Sequence, residues 1–242
     1  MTNTLVIVPT YNERANLPVL VEALLKHSTV RILVVDDQSP DGTGRVADEL
    51  ACKYKGRVEV LHRDGPRGLG RSYIDGIKRA VMEQVDFICQ MDADLSHDPQ
   101  QLPDLVAAVS SGADLALGSR YVPGGVVVNW PRRRRALSRC ANVYIRLVTR
   151  LSPHDCTTGY RCWRREALAQ LPLDRLFSDG YSFLVEMLFA AARRNYRIVE
   201  VPITFVERRE GASKVSRGVL LESAVTPWRL IADSEARAGR RS

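Results

Sequence analysis

No stretch of this chain approaches the ~20 consecutive apolar residues that a membrane-spanning helix requires. No secretory leader opens it either, because Thr2-Asn3-Thr4 runs straight into a strand-like segment. The expectation is a soluble, at most peripheral protein. Its five cysteines (Cys52, Cys89, Cys140, Cys156, Cys162) are odd in number and contain no CxxC pair, which fits a reducing, cytoplasmic compartment. Of the four histidines, His27, His62 and His154 show no metal-ligand spacing, while His97 follows an acidic pair and reads as a loop residue or a ligand. A GxGxxG after the first strand is absent, which excludes the dinucleotide-binding fingerprint. Also missing are a Ser-His-Asp or Cys-His constellation, internal repeats and low-complexity segments.

The 242 residues suffice for one α/β domain, and 45% hydrophobic with 26% charged residues is ordinary globular composition. The domain is expected over residues 1–234, with a flexible tail over 235–242. A net charge of +7 points to anionic partners: nucleic acid, acidic lipid or phosphorylated small molecules. The arginines are concentrated in Arg132-Arg133-Arg134-Arg135, followed by Arg139, Arg146 and Arg150.

Apolar runs at Leu5–Pro9, Ile32–Val35, Val58–Leu61, Phe87–Met91 and Leu115–Gly118 alternate with segments of helical period. Strands that are apolar along their whole length predict a mostly parallel sheet with helices on both faces. Asp98-Pro99 has the form of a helix N-cap with proline at the first helical position. The second half is less regular. It predicts an amphipathic helix over 136–151, a strand over 197–205 interrupted at Pro202, and a helix over 215–231 with a break near Pro227.

In such sheets ligands gather at the carboxyl ends of the strands. Asp92 and Asp94 stand there, two carboxylates at i and i+2 on one side of an extended chain. A hard divalent cation would relieve their repulsion, and magnesium favours one or two carboxylates plus substrate phosphate oxygens. The alternative is a helix cap with a spare acid. Asp36-Asp37 ends the second strand and reads either as contacts to a base and ribose or as turn acids feeding Ser39-Pro40-Asp41-Gly42.

Val8-Pro9-Thr10-Tyr11-Asn12-Glu13, Val35-Asp36-Asp37, Gly68-Leu69-Gly70, Asp92-Ala93-Asp94 and Gly118-Ser119-Arg120-Tyr121 occur in order. Asn129-Trp130 with Arg134, Ser138-Arg139, Asp155 with Thr157, Gly159-Tyr160-Arg161, Gly180-Tyr181 with Glu186, and Arg208 with Gly211, Ser213 and Lys214 follow. Over residues 4 to 216 this resembles the inverting family 2 glycosyltransferases of GT-A fold, and within them the dolichyl- or polyprenyl-phosphate mannosyltransferases. The resemblance implies a single Rossmann-like α/β domain that moves mannose from GDP-mannose to a polyprenyl phosphate with inversion. It implies Pro9, Tyr11, Glu13, Asp36, Asp37 and Asp92 around the nucleotide, and Asp92 and Asp94 on Mg2+ or Mn2+. Arg120, Arg134, Ser138, Arg208 and Lys214 would surround the acceptor phosphate, with Asp94, Arg120, Arg134 and Arg208 carrying the chemistry. The chain departs from some relatives at Ser96, where they carry a glutamine able to ligate the metal.

This chemistry suits the residues. An acceptor phosphate with its second pKa near ~6 is already a dianionic nucleophile at neutral pH, so no base is required. Arginines must instead offset anion–anion repulsion. The arginine run and its helix read as a solvated face, or as contact with acidic lipid at the cytoplasmic face of a membrane, directly or beside a separate anchoring subunit. Nucleic acid is set aside because only Trp130 and Tyr144 interleave the basic residues. The rival readings are a different donor such as UDP-glucose, and a non-catalytic nucleotide-binding protein of the same fold.

Overall fold

A computed structural model of the chain describes residues 3–178, 180, 182–207 and 217–238. The first half alternates strand and helix: β1 (Thr4–Thr10), α1 (Asn16–Leu24), β2 (Val30–Asp36), α2 (Thr43–Lys53), β3 (Val58–His62), α3 (Leu69–Ala80), β4 (Phe87–Gln90), α4 (Leu102–Ser110) and β5 (Leu115–Ser119). Then come β6 (Val126–Val128), α5 (Arg132–Thr149), β7 (Arg161–Arg164), α6 (Arg165–Ala169), α7 (Ser182–Ala192), β8 (Ile198–Pro202), β9 (Thr204–Val206) and α8 (Arg217–Ala238). A 3-10 turn over Pro99–Gln101 precedes α4, and the Asp98 carboxylate accepts from the amide of Gln100, as the Asp-Pro pair predicts.

Seven strands form one sheet in the order β3-β2-β1-β4-β7-β5-β8, and β6 pairs with β9 in a separate ribbon. All pairs are parallel except those of β7, which runs antiparallel between β4 and β5. Alternation along β1 sends Leu5 and Ile7 into one core and Val6 and Val8 into the other, all four buried. Each such side chain contributes about 1.5–3 kcal/mol of burial. Close approach fixes α3 on the sheet: a Cβ on Gly76 would come within 2.8 Å of Ile7 Cγ2, so only glycine fits there.

The expected mixed α/β architecture with a mostly parallel sheet and helices on both faces is present. Several finer expectations need correction. β4 ends at Gln90, so Met91 to Asp94 leave the strand and turn, with Leu95 at φ 60°. α5 begins at Arg132 rather than 136, which brings the arginine run inside the helix. The strand expected over 197–205 is two strands in different sheets, parted at Ile203. α8 passes through Pro227 without a break and runs to Ala238 rather than ending at 231. β7 and α7 have no counterpart in the sequence reading. α7 (SFLVEMLFAAA) is buried nearly all round, so it lacks the polar face that a 3.6-residue period needs.

Candidate active site

The carboxyl ends of β1, β2, β4 and β5 converge as parallel strands must. Pro9 is buried in β1 and Tyr11 lies just beyond it. Tyr11 is covered by Arg67, whose guanidinium stacks 5.0 Å from the ring centroid and donates to the phenol oxygen. The Glu13 carboxylate accepts from Asn16 Nδ2 at 2.9 Å, and its amide donates to Thr43 Oγ1.

Asp36 and Asp37 differ in their tasks. Asp36 accepts from Thr10 Oγ1, Ser39 Oγ and the Ser39 amide, tying β1 to the turn after β2. Asp37 pairs with the buried guanidinium of Arg63 and accepts from the Gly68 amide at 2.8 Å, placing the glycine turn that opens α3. Arg63 also meets Asp75 at 2.6 Å and has no place in the sequence reading.

Asp92 and Asp94 stand at the end of β4. Asp92 Oδ1 accepts from the buried Tyr73 hydroxyl at 3.0 Å. Burial and the Asp92 charge push the Tyr73 pKa well up, which keeps that proton in place. A Cβ on Gly159 would lie 3.0 Å from Asp92 Oδ2, so the carboxylate rests against bare backbone. Asp94 Oδ1 accepts from the Ser96 hydroxyl at 2.6 Å and the Ser96 amide at 3.1 Å. Ser96 therefore orients Asp94. Among the described residues no set of three or more His, Cys, Asp or Glu side chains is placed to hold a metal. Two hard carboxylates without a protein cage are the donor set a magnesium or manganese ion takes when phosphate and water complete its shell.

The Ser96 carbonyl accepts from the Val206 amide at 3.0 Å, and His97 forms a bridge with Phe205. The β6–β9 ribbon thus joins the acidic turn to the arginines that follow β6. Arg120 is buried and bidentate to Asp155, with Nε to Oδ2 and Nη2 to Oδ1 both 2.7 Å, and Nη2 also donates to Thr157. Burial works against the Arg120 charge, but Asp155 outweighs it and raises the pKa. Its guanidinium sits 5.2 to 5.7 Å from the rings of Tyr121, Phe205 and Trp130. Arg134 stacks on Trp130 at 4.1 Å and pairs with Glu207 at 2.7 Å. Ser138 accepts from Tyr121 at 2.6 Å. Asn142 bonds the Ser138 carbonyl, Thr157 and the Cys156 amide, lashing α5 to the Asp155 loop.

α5 opens with four arginines, no acid in its first turn, and Pro131 at its N-cap with no side-chain cap. The helix dipole is already positive there, so this charge destabilises the free helix end and would be relieved by an anion. Arg208 and Lys214 lie outside the described residues, as do Tyr181, Gly211 and Ser213. In the sequence Asp155, Thr157 and Gly159 stand out only as motif members without an evident role. Asn142 and Tyr73 carried no signal, because each sits at an ordinary helical position.

His97 is buried between Tyr160 and Phe205, and Nδ1 has no hydrogen-bond partner among the described residues. Burial pulls its pKa below the ordinary 6.5. The unfolded chain therefore binds a proton that the folded chain refuses, and stability falls as pH drops through 6.5 toward the folded-state value. Urea unfolding between pH 7 and 5 should show this slope, and His97→Phe should flatten it. Equal slopes in both proteins would disprove the assignment.

An α/β sheet with acids at its strand ends, an acidic turn after β4 and a cluster of arginines joined to it is a setting for a phosphorylated ligand. The model of glycosyl transferase family 2 matches residues 5–171, and the chain belongs to that family. It is 49% identical over 229 residues to the polyprenol monophosphomannose synthase of Mycolicibacterium smegmatis, covering 93% of this chain and 86% of the relative. It is 47% identical over 241 residues to the undecaprenyl-phosphate mannosyltransferase of Micrococcus luteus, covering 98% of each. Glucosyl-3-phosphoglycerate synthase of Mycobacterium tuberculosis, solved with Mn2+, UDP and glucosyl-3-phosphoglycerate, shares the fold. The TM-score is 0.64 at 20% identity, over 98% of this chain and 80% of that one.

Proposed function

We propose that the enzyme transfers mannose from GDP-mannose to a polyprenyl phosphate, giving the β-linked mannosyl phosphate and GDP. The observation that carries this reading is the uncapped, arginine-loaded start of α5, joined through β9 to the Asp92–Asp94 turn. An anion held at that helix end would be tied through the ribbon to the acidic turn. The two relatives named for mannosyl transfer to polyprenyl phosphates support the acceptor and the sugar.

The lipid phosphate dianion needs no deprotonation. Arg120, held by Asp155, and Arg134, held by Trp130 and Glu207, lower the cost of bringing it toward an anionic diphosphate. Asp92 and Asp94 would hold Mg2+ or Mn2+, which when bound neutralises charge on the leaving diphosphate. Attack from the face opposite the leaving group inverts the anomeric carbon. The test is transfer of radiolabelled mannose from GDP-mannose into organic-extractable lipid, with and without EDTA. Metal-dependent label supports the reading. Label from UDP-glucose alone replaces the donor, and silence with every donor sinks the transferase reading.

The acceptor tail stays in a bilayer, and the helices beside the site suit one. Among the described residues no helix is long and apolar enough to cross a membrane. Tyr144 of α5 bonds the Ala224 carbonyl of α8, and the pair exposes Leu137, Val143 and Leu147 beside Val225 and Trp228. With the α5 arginines this makes an apolar and basic face that can rest on acidic lipid. Leu147→Glu with Trp228→Glu should reduce cosedimentation with phosphatidylglycerol vesicles about tenfold or more, since each apolar side chain contributes about 1.5–3 kcal/mol when buried. Unchanged cosedimentation would refute this face.

A further inference from the structure

Trp130 is the residue just before the N-cap of α5, and it is 9% exposed. One guanidinium lies over its ring at 4.1 Å (Arg134) and another at 5.7 Å (Arg120), while Phe205 meets it edge-on at 5.3 Å. Stacking holds an arginine by its plane and leaves its N–H edge to bond elsewhere. Trp130 thus places two guanidiniums without neutralising either. Its own indole N–H is buried and finds no acceptor among the described residues. Indole nitrogen is a donor only, and a buried donor without a partner is costly enough that native structures rarely keep one.

An orphan donor on a ring that two arginines approach, at a helix end rich in positive charge, calls for an anionic oxygen. We infer that Trp130 is a binding residue of the acceptor-phosphate site, giving its Nε1–H to a phosphate oxygen while its ring holds Arg134 and Arg120 in place. This rests on the proposed lipid-phosphate acceptor and adds to it a neutral, directional donor. The sequence shows Trp130 as a motif member and as an aromatic among arginines, because neither the stack nor the orphan nitrogen is legible before folding.

Trp130→Phe keeps an aromatic platform and removes the N–H, whereas Trp130→Ala removes both. The probe is a water-soluble short-chain prenyl phosphate, titrated calorimetrically, alongside steady-state transfer to a long-chain polyprenyl phosphate. For Trp130→Phe the expected results are about tenfold weaker binding and an acceptor KM raised by the same factor. Its kcat and donor KM should stay within about twofold. Trp130→Ala should lose a further tenfold or more, in kcat as well, with near-UV circular dichroism confirming the fold of both variants. Wild-type acceptor affinity in Trp130→Phe would overturn the inference, and so would a change confined to the donor KM. A wild-type protein that binds the prenyl phosphate and transfers no mannose, with Trp130→Phe binding weakened, would refute the donor assignment and leave Trp130 in its role.

Discussion

Asp94→Ala should lower mannosyl transfer by about a thousandfold or more, equivalent to about 4 kcal/mol of transition-state stabilisation. Asp94 is buried at the turn after β4, and its Oδ1 is oriented by both the hydroxyl and the amide of Ser96. That double hold sets the carboxylate before any ligand arrives. The fold should survive, because the hydrogen bonds from Ser96 are local and worth about 1 kcal/mol each. Asp94→Asn is the sharper variant: it keeps the size and removes the charge that a divalent cation requires. The assay is label incorporated into lipid at saturating GDP-mannose, with the midpoint of the manganese titration recorded beside it. Activity within tenfold of wild type for Asp94→Asn would remove this residue from the chemistry.

Loss of Asp155 should be the most damaging single change to the folded protein. Asp155 is wholly buried and is the carboxylate that Arg120 grips in bidentate fashion, with Thr157 alongside. Removing one partner of a buried ion pair strands the other charge, which costs about 3–5 kcal/mol. For a chain of this size that lowers Tm by roughly 6–20 °C. Asp155→Ala should show this in a thermal melt, with transfer reduced at least a hundredfold because the Arg120 guanidinium loses its orientation. Arg120→Leu in the Asp155→Ala background removes the stranded charge. It should recover most of the stability and none of the activity. If the double variant melts no higher than Asp155→Ala, the damage comes from lost packing and hydrogen bonds to the Asp155 loop.

Much of the sheet was legible because the middles of β1, β2 and β4 are buried on both faces and are runs of apolar residues. The expected residues at strand ends, Asp36, Asp37, Asp92, Asp94 and Arg120, do stand there. β7 was hidden because its Arg161 is charged yet fully buried, donating to the Thr158 and Cys156 carbonyls. Burial draws its pKa down to about 10, and it remains cationic at neutral pH. No pattern of hydropathy announces such a residue. The start of α5 was misplaced for a related reason: four arginines at a helix N-terminus oppose the dipole, so local preference argues against a helix that begins there.

By itself the sequence determined the alternation of strand and helix, the acids at the strand ends and the excess of arginine, because each follows from local period and composition. Only the tertiary structure decided which arginine meets which partner. Arg120 and Asp155 are far apart in the chain and become a bidentate pair when β5 brings Arg120 to the loop before β7. Trp130 acquires its two guanidiniums because β6, pairing with β9, brings the start of α5 beside the end of β5. Such contacts depend on how elements distant in sequence pack, and residue spacing along the chain does not encode those distances.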